Sequence, residues 1–191
     1  SGIALYLLLA DREPGSEVYV AAFTRDQANI CFREAKNMLL QSPTVLNKTG
    51  ARIFSKAITV PSTFSDFQAV SHDAKNTEGK NSHGVILDEY HVHRTDEVKN
   101  SLSSGSAARE QPLMFVITTA GFDRQGPCYK HRTDLLRVLD GHVALDHIFI
   151  TIFAIDEEDD WTDEACWHKA NPNLGISVRL EKLRDDFKLA L

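Results

Sequence analysis

Three apolar runs, 84–87 (GVIL), 113–117 (LMFVI) and 147–153 (HIFITIF), constrain this chain most, because they are continuous rather than alternating. A strand with one wet face alternates apolar and polar residues, whereas an unbroken, β-branched run suits a strand covered on both faces. Helices supply that cover when strands are parallel, and helical spacing fills the gaps at 96–103 and 129–139. Earlier, the β-type run 17–23 (EVYVAAF) leads into Thr24-Arg25-Asp26-Gln27, a capping box whose Thr24 and Gln27 side chains satisfy free N–H groups at a helix start. Ala28, Cys31, Phe32, Ala35, Met38 and Leu39 then share one helical face until Pro43 stops the helix. Weaker signals predict strands near 52–54 and 57–60 and a short helix near 65–70. The expected fold class is α/β, a parallel sheet with flanking helices.

Composition sets outer limits. With 191 residues, 42% hydrophobic and 25% charged, the chain can bury a core of its own and is too apolar for disorder. A formal net charge of −6 excludes a protein whose whole surface is a nucleic-acid footprint, though a local basic groove survives it. Cys31, Cys128 and Cys166 are widely spaced and odd in number, which argues against a disulfide framework and for a reducing compartment. The apolar run 3–10 is far short of the roughly 20 residues that span a bilayer, so no membrane role is expected.

After 153 the composition turns acidic, with seven carboxylates in the nine positions 156–164, which reads as a solvated surface or boundary before it reads as a metal cluster. The chain is therefore divided into 1–155 and 156–191. The second part ends in a predicted helix, 178–191, with Leu180, Leu183, Phe187 and Ala190 on one side. At the other end, Ser1-Gly2 opens without a Met into what reads as the middle of a helix, so both a trimmed end and a cut inside a domain are open.

Val85-Ile86-Leu87-Asp88-Glu89 carries the strongest chemical signal. An apolar strand ending in two carboxylates puts them at the carboxyl edge of a parallel sheet, where α/β proteins bind ligands. In a nucleotide hydrolase the first carboxylate holds Mg²⁺ through its water shell and the second orients the attacking water; strand alternation lets them divide those tasks. The run 113–117 ends in Thr118-Thr119-Ala120-Gly121, which brings two hydroxyls and a glycine to the same edge, placed to sense a γ-phosphate. No phosphate cradle of the form G-x-x-x-x-G-K-[ST] is present, since around Gly79-Lys80 the first glycine is replaced by Ala74 and Asn81 follows the lysine. Gly79-Lys80 reads as a turn. A rival is a metal hydrolase built on His91-Val92-His93 with the adjacent carboxylates, but no downstream pattern completes its ligand set. Arg25, Arg94 and Arg109 are candidates for a charge-stabilising finger, and Arg109, four residues before the second strand, stands first.

At these blocks the chain resembles the ATPase region of the large terminase subunit of tailed bacteriophages. GKNSHGVILDEYH (79–91) looks like that family's Walker B segment, QPLMFVITTAG (111–121) like its coupling motif, and Asp160-Trp161 with WHKANPNLG (167–175) like the segment leaving the ATPase core for a linker. The unit 18–42 also resembles the one that follows the family's P-loop helix. The resemblance implies a P-loop NTPase (RecA/ASCE-like) sheet lacking its P-loop strand, plus the start of a helical linker, with no nuclease carboxylates. It implies ATP and Mg²⁺ as cofactors, Asp88 as the Mg²⁺-associated carboxylate, Glu89 as the catalytic one, and Thr118, Thr119 and Gly121 as the coupling element. Implied partners are double-stranded viral DNA, the small terminase subunit, the portal protein and further copies in a ring, in the cytoplasm of an infected or prophage-carrying bacterium. Two alternatives stay open: a DExH-type helicase fragment, since Asp88-Glu89-Tyr90-His91 fits that box, and a degenerate ATPase-like interaction module. The resemblance also favours a chain cut just after its phosphate loop, and negligible ATPase activity for the chain alone.

Overall fold

The computed structural model describes residues 1–71 and 79–190. Ala74 and Leu191, used above in the phosphate-loop and tail-helix readings, lie outside them. The chain divides into two compact units, Ser1–Leu136 and Arg137–Leu191.

In the first unit the order is α1 (Gly2–Leu9), β1 (Glu17–Ala21), α2 (Arg25–Leu40), α3 (Pro43–Thr49), β2 (Arg52–Ile53), β3 (Ala57–Val60), β4 (Ser65–Val70), β5 (Ser82–Asp88), α4 (Glu97–Ser104), β6 (Leu113–Ile117) and α5 (Pro127–Leu139), whose last turn enters the second unit. The strands form one sheet in the order β2-β3-β4-β1-β5-β6. From β4 to β6 every pairing is parallel; β2 and β3 add an antiparallel flap. The capping box forms as read, with the Thr24 side chain accepting from the Gln27 N–H. Pro43 takes the first turn of α3, where its missing N–H costs nothing.

The continuous runs of β1 and β5 are explained by cover on both faces, whereas β6 lacks the cover expected for it: none of its residues is fully buried, and Leu113 and Ile117 are 41% and 40% exposed. Val18, Val20 and Ile86 pack with Ala4, Leu7 and Leu8 of α1 and Ala28, Phe32, Ala35 and Leu39 of α2. Tyr19, Ala21, Val85 and Leu87 pack on the other face with Val98 and Leu102 of α4 and Cys128 of α5. Gly84 has a packing reason: a Cβ there would lie 2.6 Å from Leu7 Cδ1 and 3.2 Å from Val18 Cγ1, so a larger residue would force the Leu7 side chain of α1 to repack.

Two expectations change. Residues 65–70 are β4, not a short helix, because a parallel ladder with β1 and an antiparallel one with β3 fix the segment from both sides. The run 147–153 has no ladder partner among the described residues and is not a strand; Phe149 is 91% exposed. An apolar run becomes a strand only where another backbone pairs with it.

Arg109 is also relocated. Its guanidinium donates to the carbonyls of Asn81, Pro14 and Gly15 and pairs with Glu13 at 3.3 Å, with 6% of its side chain exposed. These groups precede β1 and β5, so Arg109 clamps the amino edge of the sheet, opposite Asp88.

The second unit holds short helices α6 (Trp167–Ala170) and α7 (Leu180–Ala190). Phe187 of α7 packs on Trp161 and Trp167 at ring separations of 5.5 and 5.4 Å. The acidic stretch is tied internally: Lys169 bridges Asp156 and Asp159, and Arg184 meets Glu164 through both carboxylate oxygens. The Lys169 hydrogen bond holds the Asp159 carboxyl below the usual carboxylate range, and Arg184 does the same for Glu164. No helix among the described residues is long and apolar enough to cross a membrane.

Arg109→Ala is expected to lower stability by about 1–3 kcal/mol in urea denaturation, because it removes a buried guanidinium from Glu13 and from the Pro14, Gly15 and Asn81 carbonyls; Arg109→Lys, which lacks the fork, recovers little of it. For the second unit the depressed carboxylates make a stabilising contribution that is present above about pH 4 and lost as the pH falls through their lower folded values. Near-ultraviolet signal from Trp161 and Trp167 should therefore decay below about pH 4, ahead of the β-sheet signal.

Candidate functional site

The site is assembled by register. β5 pairs with β6 so that Leu87 stands beside Val116 and Asp88 beside Ile117. The residues that follow, Glu89 on one strand and Thr118 on the next, therefore leave the sheet side by side. Asp88 makes no hydrogen bond or ion pair among the described residues, so its carboxylate at the sheet edge is uncommitted.

Glu89 has φ 50° and ψ 51°, a left-handed conformation uncommon outside glycine, and it turns the chain into a single 3₁₀ turn, Tyr90–Val92. That turn is held from both ends. The His91 backbone N–H donates to Thr118 Oγ1 at 2.9 Å, and Tyr90 is 1% exposed with its hydroxyl donating to Asp96 Oδ1. Burial, then the bond to Asp96, pushes the Tyr90 phenol well above its ordinary value. Glu89 Oε2 is buried without a hydrogen bond, although His91 Nδ1 lies 3.2 Å away, within ion-pair range.

Thr118 donates to the Thr119 carbonyl at 2.8 Å, and Gly121, at φ 68°, presses against the His91 ring. Behind them Cys128 at the start of α5 reaches Thr118 Oγ1 at 3.9 Å, and burial pushes its thiol up, which keeps it protonated. His131, on the next turn of α5, stacks edge-on against Tyr90; burial and the nearby Lys99 push its imidazole down, so the ring is neutral at pH 7.

Five sequence-derived residues, Asp88, Glu89, Thr118, Thr119 and Gly121, thus converge at one sheet edge within the first unit. Arg109 does not join them. The H-x-H pair diverges: His91 faces Glu89 and the threonines, while His93, 5% exposed, packs on the rings of Tyr90 and Phe23. No cluster of metal-ligating side chains occurs among the described residues. From the sequence His91 was weighed as a metal ligand and as the last residue of a DExH box; the signal missed was that strands aligned at their carboxyl ends bring position 91 beside 118. Two cavities, about 230 Å³ beside Asp11 and His83 and about 260 Å³ beside Arg25 and Lys80, do not include Asp88 or Glu89. The site is an open edge.

A family model described as "Terminase large subunit, ATPase domain" matches residues 1–136, and one described as "Terminase large subunit, endonuclease domain" matches residues 142–191. The chain is similar to "Protein YmfN" of Escherichia coli (strain K12), 46% identical over 106 residues that make up 56% of this chain and 23% of that protein. It is similar to "Terminase, large subunit" of Enterobacteria phage HK97, 26% identical over 193 residues, 95% of this chain and 36% of that protein. The crystal structure of the HK97 bacteriophage large terminase superposes with a TM-score of 0.83 at 23% identity, over 99% of this chain and 39% of that one, and shows the same fold. The chain covers between 23% and 39% of these relatives' own length.

Proposed function

The chain belongs to the terminase large-subunit family, and on that footing we propose that it forms the hydrolytic edge of the ATP site in a motor that moves viral DNA into a capsid. The observation that carries the reading is the register of β5 against β6, which sets Asp88 and Glu89 beside Thr118 and Thr119. The uncommitted Asp88 carboxylate fits a hydrated Mg²⁺, and Asp88 would hold it through water. When bound, Mg²⁺ neutralises charge on the nucleotide's phosphates. Glu89 orients the attacking water and takes its proton as the terminal phosphate departs. Thr118 and Thr119, bonded to the Glu89–His91 turn, carry the change at that turn into β6.

The remaining phosphate contacts come from a glycine-rich loop, a pattern that does not occur in the 191 residues. We place that loop on a strand along the outer edge of β6, which no strand among the described residues occupies and where Leu113 and Ile117 are 41% and 40% exposed. DNA, the small terminase subunit, the portal and a ring of like subunits are the partners this reading assigns to the whole protein, in the host cytoplasm. The comparisons lend the helicase alternative no support.

In the full-length protein, Glu89→Gln is expected to lower the rate of ATP hydrolysis roughly 10²–10⁴-fold, the usual weight of a general base, with nucleotide binding retained. The 191-residue chain alone should show no turnover above background. Robust hydrolysis by that chain, lost on Glu89→Gln, would overturn the placement of the phosphate loop outside it.

A further inference from the structure

Three side-chain oxygens meet at one nitrogen beside the carboxylate pair. His91 Nδ1 lies 3.2 Å from Glu89 Oε2, 3.1 Å from Thr118 Oγ1 and 3.3 Å from Thr119 Oγ1. Proton accounting decides what the nitrogen does. The Thr118 hydroxyl has one proton, which goes to the Thr119 carbonyl at 2.8 Å, and it already accepts from the His91 backbone N–H at 2.9 Å. In its contact with His91 Nδ1 the hydroxyl then accepts, and an ionised Glu89 Oε2 at 3.2 Å can only accept, so the tautomer that serves both carries its proton on Nδ1; the Cys128 thiol is a weaker donor to Thr118 at 3.9 Å, and Thr119 Oγ1 a further acceptor.

An ionised Glu89 is a pure acceptor and competes for the same N–H. One N–H points well at one acceptor at a time. In this structure it serves the threonine side, which explains why Glu89 Oε2 is buried without a hydrogen bond although a nitrogen stands 3.2 Å away. Gly121 completes the seat: a Cβ there would fall 2.8 Å from His91 Cβ and 3.0 Å from Cδ2, so any side chain would push the ring off this position.

We propose that His91 is a positioning residue whose Nδ1–H is shared between Glu89 and the Thr118–Thr119 pair, so that the orientation of the carboxylate and the state of β6 are set together. The inference rests on the nucleotide-site reading above. His91 does not touch the reacting atoms; it acts through Glu89. When Glu89 turns to a water, its hold on the shared N–H changes, and Thr118 gains or loses a donor at the end of β6.

The test uses the full-length protein and steady-state ATP hydrolysis. His91→Ala should lower kcat roughly 10–100-fold, the scale of a misplaced catalytic group, with KM for ATP within about twofold of the parent because no nucleotide contact is removed. Asparagine puts an amide nitrogen where Nδ1 stands and glutamine puts one where Nε2 stands. His91→Asn should therefore restore most of kcat and His91→Gln should not, a contrast that a merely space-filling histidine would not produce. Gly121→Ala should reproduce the loss seen in His91→Ala. Parent-like kcat in His91→Ala, or equal recovery by Asn and Gln, overturns the proposal. Glu89→Gln in the same assay separates the two levels: if it hydrolyses ATP undiminished, the nucleotide-site reading itself fails, whereas its loss alongside parent-like His91 variants removes only the role of His91.

Discussion

Everything at the carboxyl edge depends on the register between β5 and β6. With Asp88 beside Ile117, the turn after β5 and the turn after β6 emerge together and can bond to each other. A slip of one residue would exchange the two faces of the strand, sending Leu87 toward α1 and Ile86 toward α4. Arg109 opposes that slip from the far end, because its fork bonds carbonyls that precede both β1 and β5. The residue first suspected of chemistry thus fixes the frame in which the chemistry sits. Its burial and its fork of donors suit it to that task better than to meeting a phosphate on a neighbouring subunit.

What could be read from the chain before its structure was known was what local rules write. The capping box at Thr24, the strands at 84–87 and 113–117, and the carboxylates ending the first of them all follow from residues close in sequence. What escaped depends on partners far away in the chain. Residues 65–70 became β4 because β1 and β3 flank them, and 147–153 is irregular, with no ladder partner among the described residues. His91 was visible as a residue, but its role is a property of two loops brought together by strand pairing. The convergence of Asp88, Glu89, Thr118, Thr119 and Gly121 was legible because each lies at or just beyond a strand end, a position that parallel topology makes common to all of them.

Glu89 shows how such a site is held under tension. A non-glycine residue at φ 50° costs about 1–3 kcal/mol, and the neighbours maintain it: the bond from His91 N–H to Thr118, the burial of Tyr90, and the anchoring of Tyr90 to Asp96. The aromatic ring fixes the turn at its back while the Glu89 carboxylate, 3.2 Å from His91 Nδ1, has no hydrogen bond to its Oε2. Rigidity and mobility are thereby divided between adjacent residues, 90 and 89.

The outer edge of β6 has a further consequence. Among the described residues no strand pairs with it, and a sheet edge left open in this way, flanked by half-exposed Leu113 and Ile117, is a template for any extended chain, including another copy of itself. Handled alone and concentrated, residues 1–191 would be drawn into edge-to-edge self-association, and misassembly would begin at the strand that ends in Thr118 and Thr119. Under the proposed function, solubility and the coupling assigned to Thr118 and Thr119 would be rooted in the same strand, and a charged residue introduced on its outer flank to improve the first would act on the second.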